Sequence, residues 1–294
     1  AKVTLLGEGG QGHLTQAALS HFNIGRTNPQ TYSLGVKEVW EVQTPMDRVV
    51  HTLGWPLRGE KRYAEFGGSF LYPMGPNKVS LGLVVGLGYR DATLSVHDLL
   101  QQMKTHPLFK KVLDGGTRMA WGAKTIPEGG YGSVPDKVAL PGAMIVGDGA
   151  SLLNVPALKG IHYAAASGML AAETIFSALQ AGDDLSSMTT LLRYDTALRN
   201  SFIIQDLYRV RNMRAAFDYG FLPGVFLAGL MTATNGAFPR GTLKTVSDKE
   251  APLFMGERTA PQVDGKYLFD KLSSVHLSGN KGRDDQPNHI RIET

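Results

Sequence analysis

The segment Met144–Gly168, MIVGDGASLLNVPALKGIHYAAASG, constrains the fold more than any other. An apolar run ends in Gly147-Asp148-Gly149. An irregular stretch with Asn154 and Pro156 follows, and a helical pattern opens at Gly160. Such an order reads as a buried strand, a glycine turn and a helix of an α/β layer. Small residues at the helix start (Ala164, Ala165, Ala166, Ser167, Gly168) let it lie close to a sheet. Two chemistries fit this turn. In a flavin protein, Asp148 accepts a hydrogen bond from the ribityl chain, and the positive helix N-terminus faces the pyrimidine edge, where negative charge gathers on reduction. In the plainer alternative it is an ordinary strand-to-helix turn with a capping aspartate.

A second strand–turn–helix pattern lies at Lys2–Leu19, KVTLLGEGGQGHLTQAAL. Val3–Leu6 reads as a strand and Leu14–His21 as a helix. Gly7-x-Gly9-x-x-Gly12 matches a dinucleotide fingerprint by spacing. That fingerprint also needs a second strand ending in an acidic residue about 20 residues on, for the ribose. Here the region reads GRTNPQTYSLG, with no Asp or Glu, and Glu38 lies mid-strand. The spacing is present without its context, so a glycine-rich turn remains open beside the fingerprint.

Between these units the pattern changes. Leu34–Val42 and Arg48–Gly54 are β-branched and aromatic, and Gly67–Leu87 reads as a hairpin turning at Met74–Asn77. The expectation is an antiparallel sheet. Val96–Leu113 reads as a helix interrupted near Pro107. Ser186–Phe217 reads as one long helical pattern, with Leu191, Tyr194, Leu198, Phe202, Ile203, Leu207 and Val210 at helical spacing. From Arg240 the chain is polar, rich in Pro and Gly, and expected to be irregular.

The 43% of hydrophobic residues permits a buried core, and 35 glycines in 294 residues exceed the usual share of about 7%. The absence of cysteine excludes disulfides, thiolate metal sites and iron–sulfur ligation within this chain. The net charge of +4 comes with no dense basic block, which argues against a nucleic-acid partner. The eight histidines show no metal spacing, and His13 and His162 are expected to be structural.

Tyr219–Pro239 carries no charge over 21 residues, about the ~20 a membrane span needs. Pro223 and four glycines argue against a clean span and for a helix lying in one leaflet. A buried core helix is the alternative. Arg199, Arg209, Arg211 and Arg214 precede it and are candidates to meet lipid phosphates.

Gly147–Gly168, with Asn154-Val155-Pro156, Lys159-Gly160 and His162, resembles the electron transfer flavoprotein–ubiquinone oxidoreductase family. So do EGGQGHLT (Glu8–Thr15), PQTYSLGVKEVWEV, HTLGWPL, GGSFLYP, LGLVVGLGY, HPLFKKVLDGG, GAKTIPEGGYGSVP, LYRVRNMR and FDKLSSVHLSGNKGRDDQP, in order along nearly the whole chain. The resemblance implies an α/β (α+β) fold: part of a glutathione-reductase-like FAD domain, an inserted antiparallel-sheet quinone-binding domain and a membrane-associated helical segment. It divides the chain into 1–25 (FAD domain), 26–125 (quinone domain), 126–215 (closing part of the FAD domain), 216–240 (membrane segment) and 241–294 (irregular C-terminal region).

The resemblance implies FAD contacts at Glu8, Gly9, Gly147, Asp148, Gly149, Asn154 and Gly160. It implies ubiquinone contacts at Phe66, Gly67 and Gly68, the glycine pair binding a quinone carbonyl. A flat quinone reaches backbone N–H groups where no Cβ intervenes, whereas without the resemblance the pair reads as a β-bulge. It implies lipid contacts at Phe221, Leu222, Val225, Phe226 and Leu230. The expected function is electron transfer from reduced electron transfer flavoprotein, through FAD and a 4Fe-4S cluster that has no ligands in this chain, to membrane ubiquinone. The expected location is monotopic on an inner membrane. On this reading the first FAD fingerprint and the iron–sulfur domain lie beyond the two ends, AKVTLL and NHIRIET. One position departs from the family: Ile161 stands where Thr is common, and brings no hydroxyl. A prenyl-lipid reductase and a membrane-docking module without catalysis are the alternatives.

Overall fold

The computed structural model describes residues 1–286; the end of the C-terminal region, 287–294, lies outside the described residues. Its elements are β1 (Thr4–Leu6), α1 (His13–His21), β2 (Tyr32–Glu41), β3 (Val50–Leu53), β4 (Gly67–Pro73), β5 (Lys78–Gly86), α2 (Val96–Lys104), α3 (Pro107–Leu113) and β6 (Thr117–Pro127). Then come β7 (Ala139–Leu140), β8 (Ala143–Ile145), α4 (Ile161–Ala181), α5 (Met188–Arg199), α6 (Phe202–Arg209), α7 (Met213–Ala216), α8 (Phe221–Ala233) and α9 (Lys271–His276).

The first layer is a small sheet of order β1-β8-β7. β1 pairs with β8 in parallel, Leu6 opposite Ile145, so the two glycine turns emerge side by side. α4 and α5 cover this sheet. α4 buries Tyr163, Ser167, Ala171, Thr174 and Ala178, a stripe at 3–4-residue spacing, mostly of small residues, that lets the helix approach. Its core also holds Leu140, Met144, Ile145, Leu191, Tyr194 and Leu198, and the Tyr194 hydroxyl donates to the Ile145 carbonyl at 2.9 Å.

The second layer is a five-stranded antiparallel sheet of order β3-β4-β5-β2-β6. The β4–β5 hairpin turns over residues 74–77, as its Gly-Pro-Asn chemistry predicts. α2 and α3 close one face over Val36, Trp40, Leu81, Leu83 and Leu100, and Pro107 begins α3 as predicted. β6 is not evident from its sequence. Arg118, Gly122 and Lys124 interrupt the alternation, and its outer edge is met by the Trp121 amide donating to the Leu277 carbonyl at 3.3 Å.

Two expectations need correction. Ser186–Phe217 is not one helix but α5, α6 and α7, broken at Asn200-Ser201 and at residues 210–212. The second break frees Arg211 and Asn212 to hold the following segment. Arg211 donates to the carbonyls of Gly236 (2.9 Å), Pro239 (3.0 Å) and Gly241 (2.7 Å), and Asn212 Nδ2 to Gly241 at 2.9 Å. Three of the four arginines are thus engaged within the fold, Arg199 reaching the Pro135 carbonyl and Arg214 pairing with Glu128, while Arg209 stays half exposed and pairs with Asp206 at the surface. Separately, and in keeping with the reading of Pro223 and the glycines against a clean span, no helix among the described residues is long and apolar enough to cross a membrane. The charge-free stretch forms α8, only 13 residues long.

Candidate functional site

The facing surfaces of the two layers enclose a cavity of about 620 Å³. Gly7, Gly9, Gly147, Asp148, Gly160 and Ile161 line it from the small sheet, and His51, Phe70, Tyr72 and Val84 from the antiparallel sheet. α4 points its N-terminus at this space. Gly160 offers no side-chain cap, and the first helical hydrogen bond is Ala164 N–H to Gly160 C=O at 2.9 Å. The amides before it have no helical acceptor and form a positive pole. Gly147 is held at φ +63° with its amide donating to Ser167 Oγ at 3.0 Å; a Cβ there would meet Ala164 Cβ at 3.2 Å.

The Asp148 carboxylate has no hydrogen-bond donor among the described residues, and burial raises its pKa while Lys124 opposes the rise. An acceptor-rich carboxylate beside an uncapped helix start suits a polyhydroxylated chain ending in an electron-poor ring. Gly9 leaves open space where a Cβ would stand. These observations fit the flavin and ribityl part of FAD.

Three other expected FAD residues are placed differently. Glu8 points into α1: its two oxygens accept from the Leu14 amide (3.0 Å) and from the Thr15 amide and hydroxyl (2.7 and 2.8 Å). The Leu14 amide bond is the largest influence lowering its pKa, and Glu8 shapes the turn without lining the cavity. Gly149 is buried between Ile145 and Thr15 and lets the two glycine turns touch. Asn154 closes a loop, pairing its backbone with Lys159 and accepting from the Ala157 amide at 3.1 Å. That loop carries Val155 and Leu158 into the cavity wall.

A second cavity of about 470 Å³ adjoins the first. Phe66, Gly67 and Gly68 all line it. The two cavities share His51, Phe70, Val84, Glu128, Val155 and Leu158. The glycine pair is no bulge, since Gly67 opposes Val85 and Gly68 opposes Val84 in unbroken register. Its requirement is steric: a Cβ would lie 2.0 Å from the Val84 carbonyl oxygen at Gly67, and 2.0 Å from that of Thr52 at Gly68. Arg214 closes the far wall, its guanidinium 4.2 Å over the Phe66 ring and its Nε 3.2 Å from Glu128.

α8 forms the outer wall of this cavity through Ala228. Its other face presents Leu222 (78% exposed), Val225 and Phe226 (66%). Phe221 and Leu230 are half-buried, and Phe221 turns in toward Phe217 and toward the backbone at Gly54 and Gly59. Ile161 is 90% exposed, at the cavity's rim. His51 and Glu128 went unrecognised in the sequence, and Arg214, read as a candidate for lipid phosphates, stands instead in the cavity wall. Glu128 and Arg214 are 86 residues apart, and no local pattern announces their pairing.

A parallel strand–glycine turn–helix layer facing an antiparallel sheet across paired cavities defines a two-layer fold. It is shared with a geranylgeranyl bacteriochlorophyll reductase-like protein from Thermoplasma acidophilum (TM-score 0.60, 20% identity, 83% of this chain and 55% of that one). Residues 32–126 match the family described as ETF-QO, ubiquinone-binding. The chain is 39% identical over 301 residues to the mitochondrial electron transfer flavoprotein-ubiquinone oxidoreductase of Oryza sativa, covering 99% of this chain and 50% of that protein. The human protein of the same name is 40% identical, over 99% of this chain and 49% of its own length. Along nearly its whole length the chain is similar to these electron transfer flavoprotein–ubiquinone oxidoreductases, and it spans about half the length of the curated relatives it matches.

Proposed function

We propose that this chain forms the ubiquinone site and the flavin-facing wall of an oxidoreductase that passes electrons from reduced electron transfer flavoprotein to membrane ubiquinone. The observation that carries this reading is the shared wall: the cavity lined by Asp148 and the start of α4 opens beside the cavity lined by Phe66, Gly67 and Gly68. When bound, FAD supplies the redox chemistry. Asp148 accepts from the ribityl hydroxyls, and the α4 N-terminus stabilises negative charge at the ring edge. Gly147, Gly149 and Gly9 bring the backbone close, while Glu8 and Asn154 fix the turns that carry them.

In the second cavity, Gly67 and Gly68 give the quinone head a side-chain-free edge, and Val155 and Leu158 separate it from the first cavity. α8 rests on the lipid surface through Leu222, Val225 and Phe226, so the quinone tail leaves past Ala228 into the bilayer. This makes the protein monotopic. The 4Fe-4S cluster that the resemblance implies has no cysteine ligand in this sequence, so it belongs to no step derived from these residues.

The test is optical. The full chain supplied with FAD is expected to turn yellow, to bleach with dithionite and to recover its colour with ubiquinone-1. Ala228→Phe projects a larger side chain into the second cavity from α8, leaving the sheet sequence unchanged, and is expected to abolish recovery by quinone while the bound flavin spectrum stays. Protein that remains colourless after FAD addition overturns the flavin reading. Unimpaired quinone recovery in Ala228→Phe overturns the quinone site.

A further inference from the structure

Glu128 follows β6 and is only 5% exposed, yet it borders three separate spaces. It lines both cavities described above and also a third chamber of about 280 Å³ on their far side. The third chamber is polar, with Arg90, Arg211, Arg214, Asp218, Asp248 and Glu250 in its wall. Arg214 stands between the chamber and the quinone cavity. Its Nε donates to Glu128 Oε2 at 3.2 Å and its NH1 group to Asp218 at 3.0 Å. Glu128 Oε1 receives no hydrogen bond among the described residues. Facing Glu128 across the cavities, His51 is exposed on the edge strand β3, and its Nε2 lies 2.8 Å from the Tyr72 hydroxyl.

Reduction of a quinone to a quinol adds two electrons and two protons. The quinone cavity is walled mainly by apolar side chains and glycine, so a proton reaching the inner carbonyl oxygen needs a titratable carrier. Glu128 is the carboxylate that touches both the polar chamber and this cavity. We propose that Glu128 carries a proton from the polar chamber to the inner carbonyl oxygen of the bound quinone, an inference that rests on the quinone site proposed above.

In this step the two electrons come from the reduced flavin of the same reading. The Glu128 O–H bond breaks, and a new O–H bond forms on the inner quinone oxygen. The second proton comes to the outer oxygen from water at the cavity mouth. Glu128 regains its proton from the chamber. Asp248 stands there with its carboxylate accepting from the Tyr32 amide at 2.7 Å. Burial raises the Asp248 pKa, and the Tyr32 amide and Arg214 only partly oppose this, so it holds protons at higher pH than a surface aspartate. Arg214 fixes one oxygen of Glu128 and leaves the other free to meet the substrate.

Two measurements on the full chain test this. With FAD bound, the rate of reduction of ubiquinone-1 is compared with that of ferricyanide, which accepts an electron and no proton. Glu128→Gln is expected to lower the quinone-to-ferricyanide ratio roughly a hundredfold, the scale of a positioned acid. Glu128→Asp, which keeps the carboxyl, is expected to restore much of it. Without flavin turnover, bound ubiquinone-1 is reduced electrochemically and followed by infrared difference spectroscopy. A carboxyl stretch is expected to change in the native chain and to be missing in Glu128→Gln. An unchanged ratio overturns the proposal, as does the same carboxyl signal in both proteins. Failure of the native chain to bind ubiquinone-1 removes the quinone site and this inference with it. Binding without any carboxyl change removes this inference alone.

Discussion

At the scale of single residues, Gly68 shows how a binding position and a folding position coincide. Its place in the cavity wall suggests substrate contact, but its lack of a side chain is already demanded by the Thr52 carbonyl, 2.0 Å from where a Cβ would sit. Gly68→Ala is therefore expected to push β3 away from β4 and to destabilise the chain by about 1–3 kcal/mol, the range for overpacking a fitted site. Urea unfolding of the two proteins measures this. Stability equal to that of the native chain would show that β3 yields freely there. For the same reason substitution of this pair cannot report on quinone binding alone, whereas Ala228 on α8 can.

At the scale of elements, α8 has two different faces: Ala228 meets the quinone cavity, while Leu222, Val225 and Phe226 meet solvent. Burying one phenylalanine in lipid contributes about 1.5–3 kcal/mol, and introducing a charge adds to the loss. Phe226→Asp is expected to weaken flotation with phosphatidylcholine vesicles at least roughly tenfold, 1.4 kcal/mol corresponding to each factor of ten. At an exposed position it should change folding stability by no more than about 0.5 kcal/mol. Unchanged flotation would assign the exposed face to something other than lipid. Elements fixed by local chemistry were legible in the sequence: the hairpin turn at residues 74–77, the break at Pro107 and the glycine turn before α4, whereas of the small residues Ala164–Gly168 only Ser167 falls on the buried face of α4. Elements fixed by distant partners were not. β6 shows no clean alternation of buried and exposed positions and is placed by its pairing with β2, and the helical run from Ser186 breaks where Arg211 and Asn212 bind the backbone of residues 236–241. The candidate site divides in the same way. Its glycines and Asp148 stand in readable motifs, while Glu128 and Arg214 meet only through the tertiary fold.

At the scale of the whole molecule, buried ion pairs tie the irregular C-terminal region to the antiparallel sheet. Glu38 in β2 accepts from the Trp40 indole (2.7 Å), Gln101 (3.2 Å) and Lys104 (2.8 Å), and Arg118 beside it reaches Ser274 of α9 at 2.8 Å. Desolvation pushes Lys104 down to about 8 against the pull of Glu38. On the other side Asp91 binds Arg58 at 2.5 Å, Thr93 through its amide (2.8 Å) and hydroxyl (2.6 Å), and the Gly256 amide at 3.1 Å. Glu65 joins Arg58 to Arg258. Burial alone would raise the Asp91 pKa, but the bonds from Thr93 and Arg58 outweigh it and hold the carboxyl at about 2, below its ordinary 3.8. A carboxyl depressed on folding contributes stability above the unfolded value, and that contribution fades as pH falls through the folded one. The window here is about pH 4 down to about pH 2. Asp91→Asn removes the charge that Arg58 faces and is expected to cost roughly 1.5–3 kcal/mol at pH 7, the range for hydrogen bonds to charged groups. The gap between the two proteins should shrink as both are acidified through that window, because the native carboxyl then loses its charge as well. Urea midpoints at pH 7 and near pH 2 measure it. A gap of the same size at both would mean that Asp91 acts by shape rather than charge, and that the C-terminal region is fastened through Glu65 and Arg118 instead.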